Sequence, residues 1–206
     1  MQSTTEFADR QRGAALHAVA APLITGGLAL VLYVLTLAPT VTSEDSGELI
    51  TAAHCFGIPH PPGYPLWTAL CGLFLRIVPF GNVAWKANLF SAVLGAIAVG
   101  ILCRCVQLLN VRPMIALASA LTVACGNVYW SQSVITEVYT LNALVFSILL
   151  WLTIGWYNSR DNRILPFAAG IFGLGMCNHH TIALTAAALI LWILALEPRL
   201  LRSPHL

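Results

Sequence analysis

Three carboxylates and two imidazoles are concentrated in one short segment that follows a long apolar run. The acids are Glu44, Asp45 and Glu48, and the imidazoles are His54 and His60. No lysine or arginine stands between Pro39 and Leu66 to neutralise these acids. At the mouth of a membrane span, the low-dielectric boundary can tune the pKa of such a carboxylate for work as a general base. The segment is therefore predicted to be a reaction site.

The same acids also fit a purely structural role. The run Asp45-Ser-Gly-Glu48 has the pattern of a capping box, in which Asp45 is the N-cap and Glu48 is its partner. A helix that begins here would run through His54 and stop at Gly57. Crowded carboxylates, however, repel one another and are costly beside lipid. We therefore expect the acids to form a catalytic loop.

The segment from His60 to Leu66 predicts a rigid elbow. Prolines fix their own φ angle and restrict the residue before them, so His60 is presented on a stiff extended backbone. Gly63 permits close backbone approach to a neighbour or a ligand. A simple helix breaker would not need the imidazole, so His60 is predicted to bind substrate.

Further candidate side chains stand at the ends of later apolar runs. Arg76 and Lys86 are candidates to hold a phosphate, with snorkelling at the membrane interface as the alternative. Glu137 separates two apolar runs, where it can position an acceptor or simply lie among lipid headgroups. The predicted substrate- or phosphate-binding side chains are His54, His60, Arg76, Glu137, His179 and His180.

The elements that position these side chains must lie in a membrane. Of the 206 residues, 58% are hydrophobic and only 9% are charged, whereas a soluble domain has about 25% charged residues. Four stretches carry no charged residue: 13–43, 113–136, 138–159 and 164–196. About 20 apolar residues cross a bilayer. The chain is therefore predicted to be an all-α, multi-pass membrane protein.

The basic residues predict which face of the membrane holds the acids. Basic residues favour the cytoplasmic side, and about six spans place eight of them there together. The spans are predicted at 15–37, 88–109, 114–133, 138–157, 164–178 and 181–197. The eight basic residues are Arg10, Arg12, Arg104, Arg112, Arg160, Arg163, Arg199 and Arg202. The acids of the first loop, Glu137 and the candidate histidines then share the outer face.

This topology divides the chain into a tail, a membrane module and an end segment. Residues 1–14 form a cytoplasmic tail, 15–197 form the module with an outer loop at 39–87, and 198–206 form a cytoplasmic end. Residues 64–80 are then a helix that lies in or dips into the outer interface. The 164–196 run is either one long tilted helix or, as we favour, two short helices that turn at Asn178-His179-His180.

Together, the motifs resemble those of the GT-C superfamily of membrane glycosyltransferases. The closer likeness is to a transmembrane O-mannosyltransferase family, formerly a domain of unknown function, that in animals modifies IPT domains of plexins and related receptors. The likeness rests first on 45–54 and 60–66. Weaker matches follow in the same order at 79–81, 88–89, 137–142 and 177–181.

The resemblance implies a GT-C-like N-terminal helical module with an outer-face catalytic loop. It implies inverting transfer of a sugar, expected to be mannose in this family, from a polyprenyl- or dolichyl-phosphate donor to a protein Ser or Thr hydroxyl. The reaction would take place on the luminal or periplasmic face. Asp45 maps onto the family's catalytic base. Ser43-Glu44 stands where the family often has glycines, so Glu44 is the alternative base. Glu48 is the third residue expected in the catalytic loop, where it positions the acceptor or supports the loop.

The resemblance also implies a location and a longer protein. The membrane would be the endoplasmic reticulum in a eukaryote or the inner membrane in a bacterium. Members of the family are considerably longer, so the chain is expected to be a fragment or a truncated relative. Membrane lipid, the lipid-linked sugar donor and a protein acceptor are the implied partners.

Other classes of function remain as alternatives. A divalent ion could be held by the acids with His54 and His60, or by the pair His179 and His180, but no HExxH-like spacing supports this. No metal or cofactor is therefore predicted. Cys55 and Cys71 could form an outer disulfide. A transporter or a non-catalytic scaffold is the further alternative, and the absence of a basic stripe in the sequence argues against nucleic-acid binding.

Overall fold

A computed structural model describes the backbone of residues 4–202 and the side chains of residues 18–200. Within these residues the chain forms helices and no strands, so the all-α prediction is confirmed. The side chains of Arg10, Arg12 and Arg202, which helped to predict the topology, lie outside the described set. The helices are α1 Thr4–Leu35, α2 Ser46–Cys55, α3 Pro65–Ile77, α4 Val83–Leu108, α5 Pro113–Ala124, α6 Asn127–Ser133, α7 Tyr139–Ser159, α8 Ile164–Met176 and α9 Ile182–Leu196, followed by a 3-10 turn at Pro198–Arg202.

Three helices within the described part are long and apolar enough to cross a membrane. They are α4, α7 and the Ala18–Leu35 part of α1. Helices α1 and α4 approach closely where both carry glycine, because a Cβ atom added at Gly100 would lie 3.0 Å from the carbonyl oxygen of Pro22. These spans confirm a multi-pass membrane protein.

The predicted span 114–133 is broken. Helices α5 and α6 meet at an angle of 71°, because Gly126 takes an extended conformation between them. The Tyr33 hydroxyl donates a hydrogen bond of 3.1 Å to the carbonyl oxygen of Ala124, which satisfies a carbonyl that the end of α5 leaves without a helical partner. The pair forms either one bent span or a re-entrant loop.

The last apolar run forms two short helices, as in the favoured alternative. Helix α8 has 13 residues and α9 has 15, which correspond to about 20 and 22 Å of length. Both are shorter than the hydrocarbon core of a bilayer, about 30 Å. Whether they cross it stays a prediction.

Hydrogen bonds identify the two ends of the helical bundle. At one end, the Ser91 hydroxyl lies 3.4 Å from the backbone nitrogen and oxygen of Glu137. At the other end, Asn158 Nδ2 donates to the carbonyl oxygen of Leu108. The connections at this second end carry Arg112, Arg160, Arg163 and Arg199. The bundle thus holds Glu137 at one end and these four arginines, together with Asp161 and Glu197, at the other, while the assignment of the second end to the cytoplasm stays a prediction.

Helices α2 and α3 form a hairpin that packs on the end of α4 that begins at Val83. The packing is close, since a Cβ atom added at Gly72 would lie 2.6 Å from the carbonyl oxygen of Ala53. Trp67 is fully buried in this small core. Cys55 is exposed, Cys71 is buried, and both are free thiols, so the possible disulfide is not formed.

Candidate active site

The structure brings together three of the side chains that the sequence marks out. One ligand atom from each of Asp45, Glu48 and His60 lies within 4.8 Å of the others. The backbone N–H of His60 donates to Glu48 Oε1 at 2.6 Å, and the ring nitrogen Nδ1 lies 3.0 Å from Oε2. The other ring nitrogen, Nε2, lies 3.7 Å from Asp45 Oδ2. His60 therefore stands between the two acids.

The predicted capping box does not form. Asp45 is the N-cap of α2, but among the described residues its side chain makes no capping hydrogen bond. Glu48 instead accepts two hydrogen bonds from His60, which offers both its backbone N–H and its ring. The Asp45 side chain is left 58% exposed, so it is accessible to a substrate hydroxyl.

The pairing with Glu48 fixes the state of the His60 ring. A carboxylate only accepts hydrogen bonds, so Nδ1 carries a proton and donates it. In the neutral ring, Nε2 then accepts from the Tyr64 hydroxyl, 3.0 Å away. The hydrogen bonds from the ring and the backbone of His60 hold the pKa of Glu48 below its usual value. Glu48 is thus an ionised anchor for His60.

Two residues beside these groups have unusual backbone angles. Glu44 has φ of 65° and Tyr64 has φ of 41°, in the left-handed region that non-glycine residues rarely adopt. Such conformations cluster at functional sites because surrounding contacts must maintain them. The strained Glu44 immediately precedes Asp45, and the strained Tyr64 follows the proline elbow.

Stacked rings extend from His60 to the turn between α8 and α9. The Tyr64 ring stacks on His179 with centroids 5.8 Å apart and planes 13° apart. His179 stacks in turn on His180 at 4.7 Å, and the Tyr139 ring lies 5.7 Å from His179. The backbone N–H of Leu66 donates to the carbonyl oxygen of Cys177 at 3.0 Å, which ties α3 to this turn.

The hydrogen bonds of His179 determine its tautomer. The backbone N–H of Thr181 donates to Nδ1 at 3.2 Å, and the Thr181 hydroxyl lies 2.8 Å from the same nitrogen. Nδ1 is therefore unprotonated, and the proton of the neutral ring is on Nε2. Burial and the neighbouring His180 lower the pKa of His179, which keeps the ring neutral. His179 can thus offer one N–H donor.

Glu137 lies on the loop between α6 and α7 and is only 3% exposed. Its Oε1 has no hydrogen-bond partner among the described residues. Burial, together with the charges of Glu44 and Asp45, raises the pKa of Glu137 to about 7. The effect of these charges places Glu137 within electrostatic range of the first-loop acids.

The raised pKa of Glu137 predicts a pH-dependent stability. In the unfolded chain the carboxyl ionises near its ordinary value, whereas the folded protein retains the proton up to about pH 7. Folding therefore binds a proton in this window, and stability falls as pH rises from about 4.5 to about 7. We expect thermal unfolding in detergent to show this fall, and Glu137→Gln to remove it. An unchanged pH slope in the variant would contradict the assignment.

Two of the predicted binding residues lie away from these groups. Arg76 donates to the carbonyl oxygens of Gly72 and His54, and its guanidinium covers the Phe56 ring at 4.1 Å. His54 is exposed in the last turn of α2, about 13 Å along the helix from Asp45. Both lie at the opposite end of α2 from Asp45.

Lys86, the second cation predicted on the outer face, is also bound to backbone groups away from Asp45. Lys86 Nζ donates to the carbonyl oxygens of Leu75 and Val78 at 2.9 and 3.2 Å, at the end of α3. A cation in this position interacts favourably with a helix C-terminus. Among the described residues, the His60 ring is the group that lies within 4 Å of the carboxylates of Asp45 and Glu48.

Two aromatic residues at the site were not singled out from the sequence. Tyr64 and Tyr139 hold His60 and His179 in place, but a tyrosine beside an apolar run is typical of a membrane interface. A metal ion could use Asp45, Glu48 and His60. It would first have to replace the hydrogen bond between His60 Nδ1 and Glu48, and the expectation of no metal remains a prediction.

Comparison with known proteins identifies the family. Residues 45–201 match the model of the protein O-mannosyl-transferase TMEM260 N-terminal domain. Protein O-mannosyl-transferase TMEM260 of Mus musculus is 37% identical over 179 residues, which cover 85% of this chain and 25% of the relative. The protein of the same name from Dictyostelium discoideum is 32% identical over 185 residues, which cover 82% of this chain and 22% of the relative. No solved structure matches the chain significantly.

The matched region begins at Asp45 and contains Glu48, the proline elbow at His60–Leu66, Glu137 and the turn at Asn178-His179-His180, whereas Glu44 lies just before it. The chain spans about a quarter of the length of the curated relatives that it matches. The match extends over well more than half of the chain and confirms the predicted resemblance to an O-mannosyltransferase family. The chain therefore belongs to the family of the protein O-mannosyl-transferase TMEM260 N-terminal domain.

Proposed function

We propose that this chain is the catalytic N-terminal module of an inverting, lipid-phosphate-dependent protein O-mannosyltransferase. The observation that carries the proposal is an exposed Asp45 carboxylate at the N-terminus of α2, 3.7 Å from a His60 ring that Glu48 fixes. Both curated relatives are named protein O-mannosyl-transferases. The site thus offers a general base where the family relationship calls for one.

In this mechanism Asp45 accepts the proton of an acceptor Ser or Thr hydroxyl. The hydroxyl oxygen forms a bond to the anomeric carbon of the sugar while the bond from that carbon to the phosphate oxygen breaks on the opposite face. The configuration at the anomeric carbon is inverted, and the lipid phosphate leaves with the electron pair of the broken bond. Asp45 then gives its proton to water. General base catalysis of this kind contributes about 10²–10⁴-fold to the rate.

The leaving phosphate needs N–H donors, which the imidazoles of the outer turn can offer. His179 carries its ring proton on Nε2, because Nδ1 accepts from Thr181. His180 is exposed beside it. Arg76 and His54 are not assigned this role, because they lie at the far end of α2. Glu137 would position the acceptor or support the loop.

The partners and the membrane follow from the same proposal. The donor is a polyprenyl- or dolichyl-phosphate mannose that enters from the bilayer, and the acceptor is a protein with Ser or Thr side chains. No resident cofactor is required by this chemistry. The membrane is the endoplasmic reticulum in a eukaryote and the inner membrane in a bacterium, with the site on the luminal or periplasmic face.

A transfer assay with two donors tests the proposal. The chain is assayed in membranes both alone and in place of the matching region of the Mus musculus relative, with a Ser- and Thr-bearing acceptor domain. We expect transfer in the substituted relative from dolichyl phosphate mannose and none from a nucleotide-linked mannose. Transfer from the nucleotide donor, or none from either in an inserted and folded protein, would contradict the proposal.

A further inference from the structure

A cavity opens between α6 and the start of α7. It has a volume of about 330 Å³, within the range of small-ligand pockets, about 300–1,000 Å³. Its walls are Val128, Tyr129, Gln132, Tyr139, Thr140 and Ala143. The bend between α5 and α6 creates this space, because α6 is turned away from the line of α5 by 71°. It is called the α6–α7 cleft below.

The α6–α7 cleft carries polar side-chain atoms that the fold does not use. Thr140 is 2% exposed, yet its hydroxyl has no hydrogen-bond partner among residues 18–200. Gln132 Oε1, on the opposite wall, also has no hydrogen-bond partner among residues 18–200. Most buried polar side-chain atoms in native proteins are hydrogen-bonded, and exceptions require an explanation. Two such atoms on facing helices could each bond a hydroxyl group of a ligand in the cleft once their side chains turn toward it.

The α6–α7 cleft also has aromatic walls. The Tyr129 hydroxyl donates to the carbonyl oxygen of Gly95 at 2.9 Å, so its ring is fixed. Tyr139 is 47% exposed and presents an apolar face with a polar tip. Pockets of this composition are typical of small polar ligands, which apolar walls enclose and a few placed polar groups orient.

A continuous series of contacts joins the α6–α7 cleft to Asp45. The Tyr139 ring lies 5.7 Å from His179, and His179 stacks on Tyr64 at 5.8 Å. The Tyr64 hydroxyl lies 3.0 Å from His60 Nε2, and this nitrogen lies 3.7 Å from Asp45 Oδ2. The cleft therefore adjoins His179, which is proposed to bind the phosphate, and is connected through Tyr64 and His60 to Asp45.

We propose that the α6–α7 cleft binds the hexose ring of the donor, with Thr140 and Gln132 hydrogen-bonded to sugar hydroxyls and the Tyr139 ring against the sugar's apolar face. This assignment rests on the proposed function and adds a sugar subsite to it. It also explains why a helix that could cross the membrane is interrupted at Gly126. A straight α5–α6 helix would not provide this opening.

Binding of a sugar-bearing lipid and a sugar-free lipid tests the subsite. The purified chain in detergent is titrated with a short-chain polyprenyl phosphate mannose and with the same polyprenyl phosphate lacking the sugar. Thr140→Val and Gln132→Met keep side-chain size while removing the polar atoms. Each is expected to weaken binding of the mannose-bearing lipid about 3- to 10-fold, as for a lost hydrogen bond. Binding of the sugar-free lipid should change less than about 2-fold.

Thr153→Val is the matched control. Thr153 lies on the same helix, its hydroxyl bonds to the carbonyl oxygen of Leu149, and it is about 20 Å from Thr140. It should bind both lipids as wild type does. If the cleft variants keep full affinity for the mannose-bearing lipid, or lose both lipids equally while melting normally, the subsite is wrong and the proposed function stands. If wild type shows no preference for the mannose-bearing lipid, the proposed donor fails and the subsite fails with it.

Discussion

Replacing Asp45 with asparagine is expected to lower mannose transfer by about 10²–10⁴-fold, the usual contribution of a general base. The fold should survive, because the Asp45 side chain is 58% exposed and does not cap α2. Asparagine keeps the size of the carboxylate but cannot accept the acceptor's proton at neutral pH. The measurement is the transfer rate in membranes at saturating donor, together with the melting temperature of the purified variant.

Two companion variants make this result specific. Asp161→Asn is the matched control, since Asp161 accepts from the backbone N–H of Arg163 at the opposite end of α7, about 30 Å from the acid loop. It should transfer at the wild-type rate. Glu44→Gln tests the alternative base. Loss of transfer in Glu44→Gln with an active Asp45→Asn would move the role of base to Glu44.

The local patterns of the sequence predicted the helices around the site well. Helix α2 occupies Ser46–Cys55, close to the segment that the acid motif and Gly57 delimit. The turn between α8 and α9 lies at the asparagine and the two histidines. Strong local signals decide such boundaries, because capping residues, glycines and prolines act on their immediate neighbours.

Contacts between distant segments could not be predicted in the same way. The capping-box pattern assigned Glu48 a partner three residues away, but the structure gives it His60, which is twelve residues along the chain. The proline elbow turns the chain back toward α2, and only tertiary structure shows how far. Tyr64 and His179 are brought into contact where the start of α3 meets the turn between α8 and α9, at the hydrogen bond from Leu66 to Cys177.

The positions of charged residues in the sequence did not predict which groups Arg76 and Lys86 would bind. The outer face was predicted to hold cations that could receive a phosphate, because Arg76 and Lys86 are the basic residues there. The structure shows both bound to backbone carbonyls near the end of α3. Carbonyls at the end of a helix lack helical partners and attract cations. The acid loop therefore lacks lysine and arginine partners among the described residues, and imidazoles remain as the nearby donors.

Asn88→Ala is expected to destabilise the protein by about 1–3 kcal/mol and to reduce transfer with it. Asn88 is fully buried, and its Nδ2 donates to the carbonyl oxygens of Ala38 and Thr40 at 2.8 and 3.1 Å. Its Oδ1 accepts from the Thr136 hydroxyl. Alanine leaves the buried Thr136 hydroxyl without its partner, and one buried unsatisfied group costs about 1–3 kcal/mol. Thermal unfolding in detergent provides the measurement.

The position of Asn88 explains why a stability change there should reach the active site. Its Nδ2 bonds to Thr40, in the segment that leads from α1 to Glu44 and Asp45. Its Oδ1 bonds to Thr136, in the loop that carries Glu137. Asn158→Ala is the matched control, because Asn158 is exposed and donates one bond to the carbonyl oxygen of Leu108. It should change stability by less than about 0.5 kcal/mol. Equal melting temperatures of Asn88→Ala and Asn158→Ala would show that helix packing, and not the Asn88 amide, holds the segment that leads to Asp45.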